Sequence, residues 1–391
     1  MFERLVPSDS VFRRWLKRLL ASALSAGLGL ILLEGAVRLL WPDLPTSETG
    51  IVPHPIWHHW HRENYRFTYQ VPGEGIRQQV CFNERGMRDS SPRSIEKPPG
   101  IRRVAVLGDS FVEALQVEEH EGICRQLETL LGSSTQTEVL NFGCSGFSTS
   151  LEYLIFREWV RHWKPDVVLC LHHFSDITED WRFRSRAVGM NEDLQAIVPS
   201  GTGWGRRVRR VLDLSSAWRL LHRSLRSSRA ASPASLKEGY DAIVHEPYNE
   251  EDEEALAYSL NYARLLDQEL RHEGVPFLLV LIPLGPQVEP VPPDLARQVG
   301  LRYLADGRLL EHTGYQRAVT AFCQQHGIAV LDLVDGFRSA NPSGVPLLYL
   351  PHDQHWTAEG HAVAARLVAS WLEQGSLGRA RVSTDLPPLR D

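Results

Sequence analysis

The chain of 391 residues is 43% hydrophobic and 23% charged, an ordinary globular composition with enough apolar material for a sizeable core. Its net charge of −6 supplies no basic face of the kind phosphate backbones require, so no nucleic-acid partner is expected. Cys81, Cys124, Cys144, Cys170 and Cys323 contain no CxxC pair, and their odd number excludes complete internal disulfide pairing and leaves no zinc-like spacing.

Near the amino terminus, Arg13, Arg14, Lys17 and Arg18 precede an apolar run from Leu19 to Leu33. The apolar character resumes after Glu34 and Arg38 and continues through Trp41. From Leu19 to Trp41 the length suits one bilayer crossing, which takes roughly 20 residues. Glu34 and Arg38 are spaced to pair on one helix face, and Trp15 and Trp41 stand where interfacial aromatics belong. The positive cluster predicts a cytoplasmic amino terminus, with everything after Trp41 exported. A cleavable signal peptide fits less well, because the small-residue stretch Ala21–Gly27 lies inside the apolar run rather than after it. A buried amphipathic helix fits less well too, because the run is apolar on all sides. Residues 1–45 are therefore read as a basic stub and a retained transmembrane anchor.

Residues 46–100 form a loop-rich lead-in with many Pro, His and Trp residues. Its aromatic run Trp57-His58-His59-Trp60-His61 is read as packing against the main domain rather than as a metal site, because no carboxylate stands at a clear ligand spacing. The core domain is expected over residues 101–375. Val104–Leu107, Val139–Phe142, Val167–Leu171, Phe277–Ile282 and Ala329–Leu333 read as strands. Gly122–Leu131, Leu151–Trp163, Glu251–His272, Tyr315–His326 and Thr357–Glu373 read as helices. Their alternation predicts an α/β fold with a doubly wound parallel sheet. An inserted helical segment interrupts the alternation at about 179–250. Within it the basic stretch Arg206–Arg226 carries a stripe of Val208, Val211, Leu212, Trp218, Leu221 and Leu225, read as a lid or insertion helix before a membrane-surface helix. Residues 376–391 are read as a flexible tail.

Chemistry concentrates in two places. Gly108-Asp109-Ser110-Phe111 directly follows the first strand, and in an open α/β sheet ligands bind beyond the carboxyl ends of strands. Ser110 needs a base to become a nucleophile. Pro351-His352-Asp353-Gln354-His355-Trp356 supplies one just before the last helix: Asp353 can hold the imidazole of His355 with Nε2 toward Ser110. Thr357 is placed to cap the helix that follows. His172 and His173, at the end of a buried strand, and His361, in a first helical turn, read as structural. Gly108-Asp109-Ser110 offers no G-x-G-x-x-G, which makes a nucleotide-binding Rossmann protein a remote rival.

The blocks Gly108–Phe111, Asn141-Phe142-Gly143, Ser175-Asp176 and Asp353–His355, in this order, resemble the SGNH/GDSL hydrolase superfamily. Asn83-Glu84-Arg85-Gly86-Met87-Arg88 is similar to the N-x-x-G-x-R segment that precedes GDS in membrane-anchored bacterial members. The resemblance spans about Asn83 to Glu373. It implies a flavodoxin-like three-layer α/β/α domain. Ser110 would be the nucleophile, His355 the base and Asp353 its orienter, with Ser110, Gly143 and Ser175 forming the oxyanion hole and Asp109, Asn141 and Asp176 in support. The family usually has Asn where Ser175 stands, and the serine hydroxyl is a shorter donor. The D-x-H spacing is one residue shorter than the most familiar form. No metal or nucleotide cofactor is implied. The expected function is a serine esterase on an acyl ester, an O-acetyl group on a cell-surface carbohydrate being the leading substrate. It would sit in the inner membrane by a single pass, with its catalytic domain periplasmic or extracellular. An O-acyltransferase using the same site and a catalytically weak polysaccharide-binding or assembly protein are the alternatives.

Overall fold

The computed structural model describes residues 9–40, 49–132, 136–191, 194–198, 212, 215–218, 220–221, 248–290, 313–343, 345 and 347–374. The chain divides into two compact units, one of residues 1–48 and 201–230, the other of residues 49–200 and 231–391.

In the first unit, α1 (Asp9–Leu40) is a single helix. Its stretch Arg13–Leu40 is long and apolar enough, by length and composition, to cross a membrane. Leu24, Leu30 and Ile31 are exposed, which sets this helix apart from a buried core helix. Arg38 Nε donates to Glu34 Oε1 at 2.7 Å, one turn apart. Glu34 also accepts from Ser215 Oγ and from the N–H groups of Ser216 and Ala217, at 2.8, 2.8 and 3.0 Å. The carboxylate thus accepts from amides at the start of a short helical stretch inside the basic segment. That part of the segment groups with α1 rather than with the sheet. Val208, Val211 and Leu225 of its stripe, and residues 376–391, lie outside the described residues.

In the second unit the lead-in forms two antiparallel hairpins, β1 (Ile51–Pro53) with β2 (His59–His61) and β3 (Arg66–Gln70) with β4 (Arg77–Cys81). Then follow β5 (Arg102–Gly108), α2 (Ser110–Glu113), α3 (Ile123–Gly132), β6 (Thr137–Gly143) and α4 (Thr149–Glu158). After β7 (Val167–His172) come α5 (Phe174–Phe183) and a hairpin of β8 (Ala187–Asn191) and β9 (Leu194–Ile197). The order continues with α6 (Glu250–Glu273), β10 (Phe277–Leu281), α7 (Gly285–Val288) and α8 (Gly314–His326). It ends with β11 (Val330–Asp332), α9 (Val334–Ala340) and α10 (Ala358–Glu373).

Five strands make one parallel sheet in the order β11-β10-β7-β5-β6. The period-2 alternation of a strand explains its two cores. Ala105, Leu107, Leu140, Phe142, Val168 and Cys170 face one apolar layer together with α4, α6 and α8. Val104, Val106, Val139, Leu169 and Leu171 face the other, with α3, α9 and α10. The expected doubly wound, three-layer architecture is therefore present. One helix differs from expectation. Trp159 leaves helical geometry at the end of α4 and Val160–Trp163 continues as a 3-10 turn. Its ring meets Trp60, Phe142 and Trp163 edge-on, with centroids 5.4, 5.3 and 6.2 Å away, and this packing outweighs continuation of the helix. Trp57 and Trp60 of the lead-in belong to the same apolar layer. The lead-in is thus part of the unit that holds the sheet.

Candidate active site

β5 ends at Gly108, and the chain turns at once into α2, whose first residue is Ser110. The turn is tight because two glycines let it be. A Cβ on Gly108 would come within 2.3 Å of Val112 Cγ2, and one on Gly143 within 2.4 Å of the Glu113 nitrogen. Both strand ends therefore carry α2 directly against their backbones. Asp109 caps the turn, its Oδ1 accepting from Phe111 N–H at 2.9 Å. Burial pushes the Asp109 carboxyl up to about 6.

The carboxyl end of the turn is held by Arg88. Its buried guanidinium donates to the carbonyls of Glu113 (3.0 Å), Ala114 and Val117 (2.6 Å), at and just beyond the end of α2. The N-x-x-G-x-R segment exists to deliver this side chain. Asn83 Oδ1 accepts from the N–H groups of Arg85 and Met87 at 2.9 and 3.0 Å, folding the segment into a turn.

His355 reaches Ser110 from the other end of the chain. Its Nε2 lies 2.7 Å from Ser110 Oγ, and its Nδ1 lies 2.8 Å from Asp353 Oδ2. Burial works against the charged imidazole, but the Asp353 carboxylate on Nδ1 outweighs it and the net shift is upward. The loop is tied at both ends. Leu350 N–H donates to His355 O at 2.8 Å, and the fully buried Trp356 packs its ring against Phe111 and Phe337. Thr357 Oγ1 accepts from Gly360 N–H at 3.2 Å, the cap expected at the start of α10. Glu74, in the β3–β4 turn, accepts from the N–H groups of His352 and Asp353 at 2.6 and 3.0 Å. Nothing in the spacing of the sequence marks Glu74 for this role.

These groups open into a cavity of about 240 Å³ lined in part by Ser110, Phe111, His173, Ser175, Leu284 and Tyr349. Ser175 is at the pocket, and its Oγ pairs with His173 Nδ1 at 2.7 Å. Asp176 turns inward instead and accepts from His173 N–H at 2.9 Å, with burial driving its carboxyl well above the ordinary value. His172 is buried against Tyr315, the two polar atoms 2.8 Å apart, and its imidazole is pushed down to about 3 by burial. His361 is buried against the Trp356 ring.

Gly143 requires a correction. Its N–H donates to Asn141 Oδ1 at 2.9 Å, while Asn141 Nδ2 donates to Val112 O at 3.0 Å. The Gly143 amide is thus spent, and the residue is buried beneath α2. The glycine permits close packing and is not an oxyanion donor. Three residues on, Gly146 has φ of 78° and is partly exposed. Among the described residues neither the Gly146 nor the Ser110 amide has a hydrogen-bond acceptor. Gly146 stands in the turn after the strand, where a positive φ favours glycine.

The histidines of the lead-in make structural contacts, and no cluster of three or more His, Cys, Asp or Glu residues suited to a metal ion occurs among the described residues. His61 Nδ1 donates to Gly86 O at 2.8 Å, and its fully buried Nε2 lies 2.9 Å from Glu113 Oε1.

A serine turn at the carboxyl edge of a parallel sheet, answered by a D-x-H loop before the last helix, is the layout of an SGNH hydrolase-like domain. Residues 244–386 match the family model described as "SGNH hydrolase-like domain, acetyltransferase AlgX". That match takes in Asp353 and His355, covers less than half of the chain, and supports the SGNH/GDSL superfamily. No curated protein sequence matches the chain. Among solved structures, the chain is similar to a catalytic mutant of Axe2, an acetylxylan esterase from Geobacillus stearothermophilus. The identity is 15% over 70% of this chain and 94% of that one, with a TM-score of 0.39. The acetyl xylan esterase AlAXEase is similar at 14% identity over 69% and 98%, with a TM-score of 0.37. TesA is similar at 15% identity over 71% and 99%, with a TM-score of 0.34.

Proposed function

We propose that this chain is a serine esterase that cleaves a short acyl ester through an acyl-enzyme on Ser110, tethered to a membrane by α1. The observation that carries this reading is the continuous contact Asp353–His355–Ser110, with distances of 2.8 and 2.7 Å, at the wall of an open cavity. His355 takes the Ser110 proton as Oγ attacks the ester carbonyl, and Asp353 holds the ring and stabilises the imidazolium. The developing oxyanion is received by the amides of Ser110 and Gly146. His355 then returns its proton to the leaving alcohol, and water attacks the acyl-enzyme by the same route in reverse. A cavity of about 240 Å³ is smaller than typical ligand pockets of ~300–1,000 Å³, which suits an acetyl group with part of its alcohol. An O-acetylated carbohydrate at the cell surface is the substrate class we favour, with the sheet-bearing unit on the exported side of a bacterial inner membrane.

The test is turnover of p-nitrophenyl acetate by the full chain in detergent, beside Ser110→Ala. The variant should lose at least about a thousandfold in kcat while its thermal melt is unchanged. Full activity in Ser110→Ala would remove the nucleophile and the reading with it.

The family match favours a second reading, acyl transfer to a sugar hydroxyl from the same acyl-enzyme. Transfer requires that water be excluded while the acceptor is bound. Product analysis with a soluble oligosaccharide present separates the two: acetylated sugar supports transfer, free acetate alone supports hydrolysis.

A further inference from the structure

We propose that the histidines of the lead-in form a one-way hydrogen-bond relay that aims the Gly146 amide at the oxyanion, making His59 a positioning residue for catalysis. The inference rests on the esterase reading above and assigns a role to the aromatic run Trp57–His61.

The relay is read from its ends. Arg186 Nη1 is 2.9 Å from His58 Nε2, and a guanidinium only donates, so that nitrogen accepts. His58 Nδ1 then carries the ring proton and donates to His59 Nδ1 at 2.8 Å. His59 Nε2 carries the proton in turn and lies 2.9 Å from Ser145 O, which only accepts. Each contact fixes the tautomer of the next ring, and all three donors point the same way. Burial lowers the His59 pKa, which keeps the ring neutral as the relay needs.

The last contact matters because of the peptide plane. Ser145 C=O and Gly146 N–H belong to one planar trans unit and point in opposite directions. Holding the carbonyl toward His59 therefore turns the Gly146 N–H away from the His59 ring. The preceding amide is fixed as well: Ser145 N–H donates to Glu113 Oε2 at 2.6 Å, and Ser145 Oγ bonds the same oxygen. Glu113 lies on α2 with Ser110, and its other oxygen faces His61 at 2.9 Å. Burial raises the Glu113 carboxyl, but His61 and Ser145 more than reverse this, so it stays ionised and accepts from Ser145. The turn that carries Gly146 is thereby fastened to the turn that carries Ser110. A group free to rotate would have to be ordered in the transition state, whereas one already held costs no reorganisation.

The test uses the full chain in detergent with p-nitrophenyl acetate and compares His59→Phe with His59→Gln. Phenylalanine keeps the ring but offers no donor, whereas the glutamine amide can reach the Nε2 position. His59→Phe should lower kcat about a hundredfold with KM changed less than about threefold, the scale of one lost oxyanion donor. His59→Gln should recover kcat to within about tenfold of the parent. The affinity for a boronic acid that mimics the tetrahedral adduct should fall in parallel with kcat. Unchanged kcat in His59→Phe, or equal losses in both variants, would overturn the relay. If His59→Phe fails to fold, Arg186→Met at the partly exposed head of the relay decides instead: a loss of about tenfold in kcat at constant KM supports it, and no change refutes it. Ser110→Ala is measured alongside. Retained turnover there overturns the esterase reading, whereas loss there with His59→Phe unaffected overturns only the relay.

Discussion

Gly143 lies directly beneath Glu113: a Cβ on the glycine would stand 2.4 Å from the Glu113 nitrogen and 2.6 Å from the Val112 carbonyl carbon. Both neighbours are backbone, so neither can swing aside as a flexible side chain would. The short helix bearing Ser110 is thus seated on the end of β6. Gly143→Ala should destabilise the fold by about 1–3 kcal/mol through overpacking, and it should lower kcat by displacing Ser110. A thermal melt and ester turnover check the two effects. An alanine variant with parental stability would show that α2 is not packed as described.

Asp353 is joined to His355 through a single carboxylate oxygen at 2.8 Å, and its side chain is nearly buried. Asp353→Asn keeps the shape but presents a donor or a weak acceptor to Nδ1, which favours the wrong tautomer. A drop in kcat of ~10³–10⁴ is expected, with KM little changed. A loss below tenfold would remove Asp353 from the catalytic unit.

As the proposed base His355 would act only when neutral, and its pKa is raised above the ordinary 6.5 by the Asp353 carboxylate. The rising limb of the kcat/KM–pH profile should therefore lie above pH 6.5, with activity lost as the ring protonates below it. In Asp353→Asn the residual activity should follow a limb shifted to lower pH. A parental limb centred below 6.5 would contradict the geometry.

Glu152 is wholly buried on α4, its Oε2 accepts from Cys170 Sγ at 2.8 Å, and burial pushes its carboxyl up to about 8. The folded chain keeps this proton between the ordinary value of 4.5 and about 8, whereas the unfolded chain releases it. Stability from this group is therefore full below pH 4.5 and declines as pH rises toward 8. Glu152→Gln is neutral at every pH. It should melt near the parent at pH 5 and above it at pH 8.5, and identical curves at both pH values would remove the effect.

Much of this was legible in the sequence because it is carried by local signals. Short, near-continuous apolar runs closed by Gly108 and Gly143 mark the strands, since a strand buried on both faces has few polar positions. Gly-Asp-Ser and Asp-x-His are short motifs whose neighbours fix their geometry, and Thr357 lies next to the helix it caps. Gly143 and Gly146 are not told apart by local signals: both close the second strand and its turn, but one is required by what packs on it and the other by its φ. Only the former's spent amide, bonded to Asn141, tells them apart.

The sequence by itself determined a doubly wound parallel sheet, an apolar helix ahead of it, and the two blocks that hold Ser110 and His355, because each is set by neighbours in the chain. Only the tertiary structure decided the rest. It joined the lead-in to the sheet unit, sent Arg88 to the carbonyls of α2, brought Glu74 to the Asp353 loop, and set His59 against Ser145 O. Those partners are far apart in sequence, and their hydrogen bonds form only once the backbone groups they satisfy have been buried together.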